Sequence, residues 1–344
     1  MNTQRLPAEW EPQDAIFLAW PHKGTDWNLS EVLPLYEALV SLICDYADVV
    51  VAIANDDIEP VRARLEAMDI PLEYVYFYPV ETTSTWTRYY GPLCVQTENG
   101  MKLLDFTFNA SSLSRLPELD NQISKKLYAL NAFPSADFET LEFVLEGSAI
   151  ETDGQGTLLI NSASLLTKNH NQNPSNTEVD TQLKQLLGAQ KIYWLHSGYL
   201  AGDNAEGHID KLVRFCPNNT IVYTACDDDR DEHYVELKKM ERELVSMTNS
   251  EGVPYRLLPL PWPGEIYGNQ DQRLPGSYAS FLIVNEAVLV PTYDALSDED
   301  ALEVIARAFP GYEIFGIPSL SLIEQRGSLH AITMQLPEGV LFSC

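Results

Sequence analysis

Residues 280–318 read SFLIVNEAVLVPTYDALSDEDALEVIARAFPGYEIFGIP, and they decide the fold class. The stretch 280–292 is rich in β-branched residues and is broken only by Asn285-Glu286. An Asn-containing dipeptide between two such runs reads as the tight turn of a hairpin. Residues 297–311 then change to helical spacing, from a Ser-x-x-Asp start resembling a capping box to a Pro310-Gly311 stop. YEIFGIP (312–318) returns to strand.

The same alternation extends outward. Runs at 48–54, 72–80, 103–109, 156–161, 192–196, 220–226 and 254–260 read as strands. Residues 30–47, 57–68, 178–189 and 227–247 carry apolar residues at helical spacing. The last of these opens on a run of acids, as a helix N-terminus favours. Residues 167–179 are a polar loop. No biased linker divides the chain and no sequence repeat is evident. One α/β domain over residues 1–344 is expected.

Hydrophobic residues make up 45% of the chain and charged ones 21%, a globular composition. No apolar run is long enough to cross a membrane. The start lacks the basic-then-apolar pattern of a signal peptide, so a cytoplasmic protein is expected. Fifty acids against 22 bases give a net charge of −28, which argues against nucleic acid or an anionic membrane as partners. The five cysteines form no C-x-x-C and have no histidine at ligand spacing, so neither a metal nor another cofactor is expected. Cys44, Cys94 and Cys216 lie in apolar runs and read as core thiols.

Three short stretches carry more chemistry than packing needs. STWTRYYGP (84–92) sets Trp86, Arg88 and two tyrosines before a Gly-Pro turn. GDNAEGHID (202–210) holds His208 and Asp210 two apart, which in a strand puts them on one face. By itself a His-x-Asp more often means a structural hydrogen-bonded pair. GSLHAITMQLP (327–337) reads as a buried strand with His330 beside Ala331.

Together with PAEWEPQDAIFLAWPH, GTDW, DFTFN, FVLEGSAIE, HIDKLVRFCP, YRLLPLP and FPGYEIFGI, these motifs resemble the agmatine deiminase family, in particular its Porphyromonas-type peptidyl-arginine deiminase branch. The resemblance runs from Pro7 to Gly339. It implies a pentein fold, a five-fold pseudo-symmetric α/β propeller with the active site in its central channel. It also implies a chemistry. A cysteine thiolate attacks the guanidinium carbon, a histidine moves protons, two carboxylates hold the guanidinium, and water releases the ureido product.

On that pattern His208, Asp210 and position 331 are the catalytic places, and Trp86, Arg88, Tyr89, Glu146, Asp203 and His330 are the substrate-binding ones. Glu151 is retained as well. The departures fall on the chemistry. The nucleophile's place is Ala331, the Trp-x-Arg-Asp acid is Tyr89, and the acid two before that Trp is Ser84. Asn204-Ala205-Glu206 replace most of an Asp-Thr-Asp run, Ala110-Ser111-Ser112 replace Gly-Trp-Gly, and Ser148 replaces a glycine. The expectation is therefore a homologue that binds an arginine- or agmatine-derived guanidino compound without deiminating it, as an accessory to a partner enzyme in small-molecule biosynthesis. The alternatives are a working deiminase in which the nucleophile has been changed to alanine, and a non-catalytic interaction protein on the same scaffold.

Overall fold

The computed structural model describes residues 4–109, 118–165, 175–203 and 207–343. They form two compact units. The larger comprises the segment up to Trp10 with Ser148–Leu329, and the smaller comprises Glu11–Gly147 with the segment from His330. Asn204, Ala205, Glu206, Ala110, Ser111, Ser112, Cys344 and residues 167–174 of the polar loop lie outside the described residues.

The hairpin–helix–strand pattern of residues 280–318 is present. Leu282–Val284 pairs antiparallel with Ala287–Thr292, which pairs parallel with Glu313–Pro318 across the helix Asp298–Ala308. Asn285 turns the hairpin at φ 47°. The helix buries Ala301, Val304, Ile305 and Ala308, one apolar stripe, against the cluster around Val288, Val290 and Phe309.

That motif recurs in spite of the dissimilar sequences. In the larger unit, Ile150–Thr152, Thr157–Asn161, the helix Asn176–Leu187 and Lys191–Leu195 repeat it, as do Val213–Cys216, Thr220–Thr224, the helix Tyr234–Val245 and Arg256–Leu260. In the smaller unit it is built from Leu93–Thr97, Gly100–Thr107, the helix Ile123–Ala129 and Asp137–Val144. The smaller unit also holds a four-stranded version. There the C-terminal strand Met334–Pro337 is antiparallel to Gln13–Ala19, which runs parallel to Asp48–Ile53 and onward to Val75–Pro79. Among the described residues there are thus five small mixed sheets of one topology.

Several local expectations change. The Ser297 cap is absent: Ser297 is helical (φ −89°, ψ 0°), and Asp298 instead accepts from the Tyr293 and Ala295 amides. The capping box sits at Ser175 and Glu178. Residues 227–233 precede their helix as turns, because Asp228 and Asp231 use their carboxylates on the local amides of Arg230 and His233. Residues 327–333 are not strand. Their backbone groups are met by a turn, in which Thr333 N and Oγ1 both donate to the His330 carbonyl, so only Met334 onward joins the ladder.

Candidate functional site

The smaller unit carries the 84–90 stretch. It forms a short helix, Thr87–Tyr90, rather than a strand end. Trp86 precedes it and lies between Trp27 (ring centroids 5.0 Å apart) and Tyr89 (6.0 Å, 27° between planes). Tyr89 continues the stack to Phe108 at 6.4 Å, and Phe108 to Tyr90 at 6.1 Å. Trp86 and Tyr89 are both buried. Where the resemblance puts a guanidinium-binding carboxylate, the chain has an aromatic column.

Ser84 is anchored through its backbone. Its carbonyl accepts from Tyr90 OH at 2.9 Å, and its amide joins Thr83 in donating to Asp120. Asp120 is a residue that sequence reading missed, because its partners lie some 36 positions away. The Ser84 hydroxyl is buried without a partner among the described residues.

Arg88 is buried, and its guanidinium is directed at the C-terminal segment. Nε donates to the Thr333 carbonyl at 3.0 Å, and Nη2 to Gln335 Oε1. Its amide donates to the Ala331 carbonyl at 3.1 Å. Arg88 therefore ties the short helix to the segment that carries His330 and Ala331. Both of those are buried in the turn before Met334, with Ala331 at 0% exposure. Glu146 is buried nearby in sequence to Gly147, where a side chain would strike Arg88: a Cβ there would lie 2.7 Å from the Arg88 carbonyl oxygen.

The larger unit carries His208, Asp210 and Asp203. His208 and Asp210 are buried, yet they lie in a 3-10 turn, Ile209–Lys211, so the shared strand face expected of them does not exist. Asp203, expected to bind substrate, is engaged by Lys211, whose Nζ lies 2.6 Å from Oδ1 and also donates to the Arg326 carbonyl at 3.0 Å. Lys211 is itself buried. Sequence reading passed over it although it adjoins Asp210, since a lysine in a HIDK run gives no sign of facing inward.

A second network holds the 198–203 segment. His233 Nε2 accepts from the Ala201 amide at 2.8 Å, and its Nδ1 lies 2.6 Å from Asp231. Asp231 also accepts from Arg273 and Trp262. Burial works against the Asp231 carboxylate, but these donors more than offset it and hold its pKa below the usual range.

Glu151 is buried beside Arg214, which also reaches Glu9 and stacks over Phe281. Burial raises the Glu151 carboxyl against the pull of Arg214. None of the four described thiols is activated. Burial pushes Cys44 up to about 12 and raises Cys94, Cys216 and Cys226 too, so none of them offers a ready thiolate.

Known proteins share this architecture. A crystal structure described as a candidate peptidyl-arginine deiminase is 38% identical, with a TM-score of 0.92 over 98% of this chain and 100% of that one. A cysteine-to-serine variant of the C. jejuni agmatine deiminase, solved with substrate bound, is 34% identical, with a TM-score of 0.89 over 98% and 97% of the two chains. The agmatine deiminase of Pseudomonas aeruginosa (strain LESB58) is 29% identical over 360 residues, 97% of this chain and 95% of its own. These likenesses show the pentein fold implied by the motifs. The sequence model of the Porphyromonas-type peptidyl-arginine deiminase family matches residues 5–337, so the chain belongs to that family.

Proposed function

We propose that this agmatine deiminase-type protein binds a guanidino or arginine-derived compound and does not deiminate it. One observation carries the reading: the residue at the nucleophile's place is Ala331, a methyl group held in a fully buried turn by the Arg88 amide. Without a sulfur there, no amidino adduct forms, and the four described thiols are held protonated by burial.

Two further features support it. The losses are chemical rather than structural, since Tyr89 fills an ordered aromatic stack and Arg88 keeps its ties. The larger unit meanwhile retains a buried histidine and carboxylate, His208 and Asp210, which can still hold or move a proton. The cysteine-to-serine relative with substrate bound gives a precedent for occupancy without a cysteine thiol. In this reading the protein serves as an accessory to small-molecule biosynthesis, keeping or handing on its ligand.

The test uses the native chain with agmatine, arginine and a peptidyl-arginine substrate. Calorimetry should detect binding of at least one guanidino compound, while ammonia and ureido product stay at background. Product above background would replace this reading with that of a working deiminase. Absence of all binding would favour a scaffold for protein partners.

A further inference from the structure

Leu200, Ala201, Gly202 and Asp203 form a tight turn in the larger unit, closed by the Asp203 amide, which donates to the Leu200 carbonyl at 3.1 Å. Gly202, at φ 80°, supplies the left-handed residue that such a turn needs in third place. The closing bond uses the amide of the fourth residue and leaves that of the second, Ala201, to find an acceptor elsewhere. His233 Nε2 is that acceptor, at 2.8 Å.

This bond fixes the protonation state of the ring. A backbone N–H only donates, so Nε2 is bare, and the ring proton sits on Nδ1 and goes to Asp231 Oδ1. The ring is therefore neutral, and it is clamped. It is 1% exposed and packs against Tyr199 (ring centroids 5.2 Å apart, 27° between planes) and Trp262 (4.7 Å). Asp231 is held in turn by Arg273, Trp262 and the His233 amide, so the ring cannot rotate without giving up a fixed carboxylate. The turn packs on the same arginine: a Cβ on Gly202 would lie 2.0 Å from the Arg273 carbonyl oxygen.

The charged and titratable groups around the imidazole come from three segments. Its own turn brings Asp231, Glu232 and Asp228, with Cys226 within reach of the Asp231 charge. The 198–203 segment brings Tyr199, whose hydroxyl donates to Glu232 at 3.0 Å. The 262–273 segment brings Arg273 and Glu265. Asp231 stays an anion near neutrality, since its donors hold it below the usual carboxylate range. Burial raises Tyr199 and Cys226, which stay neutral there. Histidine is the side chain that ordinarily changes charge between about pH 5 and 8.

A second proton would turn Nε2 into a donor facing the Ala201 N–H. Two buried donors cannot satisfy each other. The ring is fixed through Asp231, whereas Ala201 and Gly202 are only half-buried and can move into water. We propose that His233 is an acid-operated latch, which holds the 200–203 turn when neutral and releases it when protonated. The turn ends at Asp203, the carboxylate that meets Lys211, so its release also loosens that ion pair. The latch does not depend on which compound the chain binds.

Two measurements on the native chain from about pH 8 to about pH 5 test it. Nitrogen NMR of the imidazole reads its protons, and hydrogen exchange, corrected for the intrinsic effect of pH, reads the 198–203 amides. At the upper end the ring should carry one proton, on Nδ1, and the Ala201 amide should be protected. As pH falls the ring should gain its second proton and the protection should drop in step, about three- to tenfold. In His233→Gln the side-chain carbonyl can still take the Ala201 amide but does not titrate, so protection should stay constant over the range. Should that variant fail to fold, Asp231→Asn takes its place. Without the anion beside the ring, release should need more acid. A ring that keeps a single proton down to pH 5, or one that titrates while protection holds, would overturn the latch. So would a pH dependence unchanged in His233→Gln, or unmoved in Asp231→Asn.

Discussion

Residues 84–90 of the smaller unit and 198–211 of the larger one are both stretches where the family resemblance places charge, and they have met different fates. In the larger unit Asp203 has an internal counter-ion, the buried Lys211, and the loop before it is pinned by His233. Residues 84–90 of the smaller unit contain no acid. Ser84 and Tyr89 stand where the resemblance implies acids, and Trp27, Trp86, Tyr89 and Phe108 pack ring to ring. A buried carboxylate is tolerable only with donors around it. Lys211 supplies them to Asp203 in the larger unit, and Thr83 and Ser84 supply them to Asp120 in the smaller one, where Trp86 and Tyr89 beside them are packed with apolar area.

The contrast breaks most severely where a buried charge loses its partner. Lys211→Met removes the ammonium that meets Asp203 and the Arg326 carbonyl. The expected cost is about 3–5 kcal/mol in thermal or denaturant unfolding. A loss below about 1 kcal/mol would mean that this pair is no internal counter-ion. The same scans test whether the chain melts as one cooperative domain: one transition is expected, and two resolved transitions would separate the units.

Next comes placing in the smaller unit the residues that the resemblance implies. Ala331→Cys alone should yield little or no agmatine turnover. Tyr89 offers a neutral phenol where an anion would hold a guanidinium, and a missing charged partner is worth about 2–5 kcal/mol, roughly 30- to several-thousand-fold. Adding Tyr89→Asp to Ala331→Cys should help far more than either change alone, read as a double-mutant cycle on turnover. If Ala331→Cys by itself reaches ordinary enzyme rates, the aromatic column is no impediment and the altered-pocket reading fails.

How far the sequence already showed this depends on the range of the interactions involved. The Asn285 hairpin and the helix after it depend on local backbone preference and periodicity, and they form as read. The family motifs are contiguous strings, so the fold was legible through them. What stayed hidden depends on distant partners. The 327–333 stretch has the composition of a strand but turns because Arg88, far off in sequence, takes up its backbone. The five-fold recurrence of one sheet topology is carried by pairing, which dissimilar strand sequences satisfy equally well. Lys211 looks ordinary in sequence, and only burial gives it meaning.

The smallest expected effect concerns Asp105, another buried acid of the smaller unit. It lies in the strand Gly100–Thr107, buried, and accepts from Thr140 at 3.2 Å. Burial raises its pKa from the ordinary 3.8 to about 6, and the Thr140 and Ser124 hydroxyls only partly offset that. The folded state therefore holds this proton more tightly than the unfolded chain does. Its contribution to stability is complete below about pH 4 and is lost as pH rises toward and through about 6. Two pH units of such a shift correspond to about 3 kcal/mol at most, and partial solvation of the site brings the expectation to about 1–3 kcal/mol. Asp105→Asn carries no proton to lose. The variant should match the native chain near pH 4, exceed it in stability at pH 7 to 8, and flatten the slope between. A native chain whose stability rises from pH 5 to 7 through Asp105, with the slope abolished by Asp105→Asn, would reverse the sign. It would show that the smaller unit gives Asp105 enough donors to stay ionised.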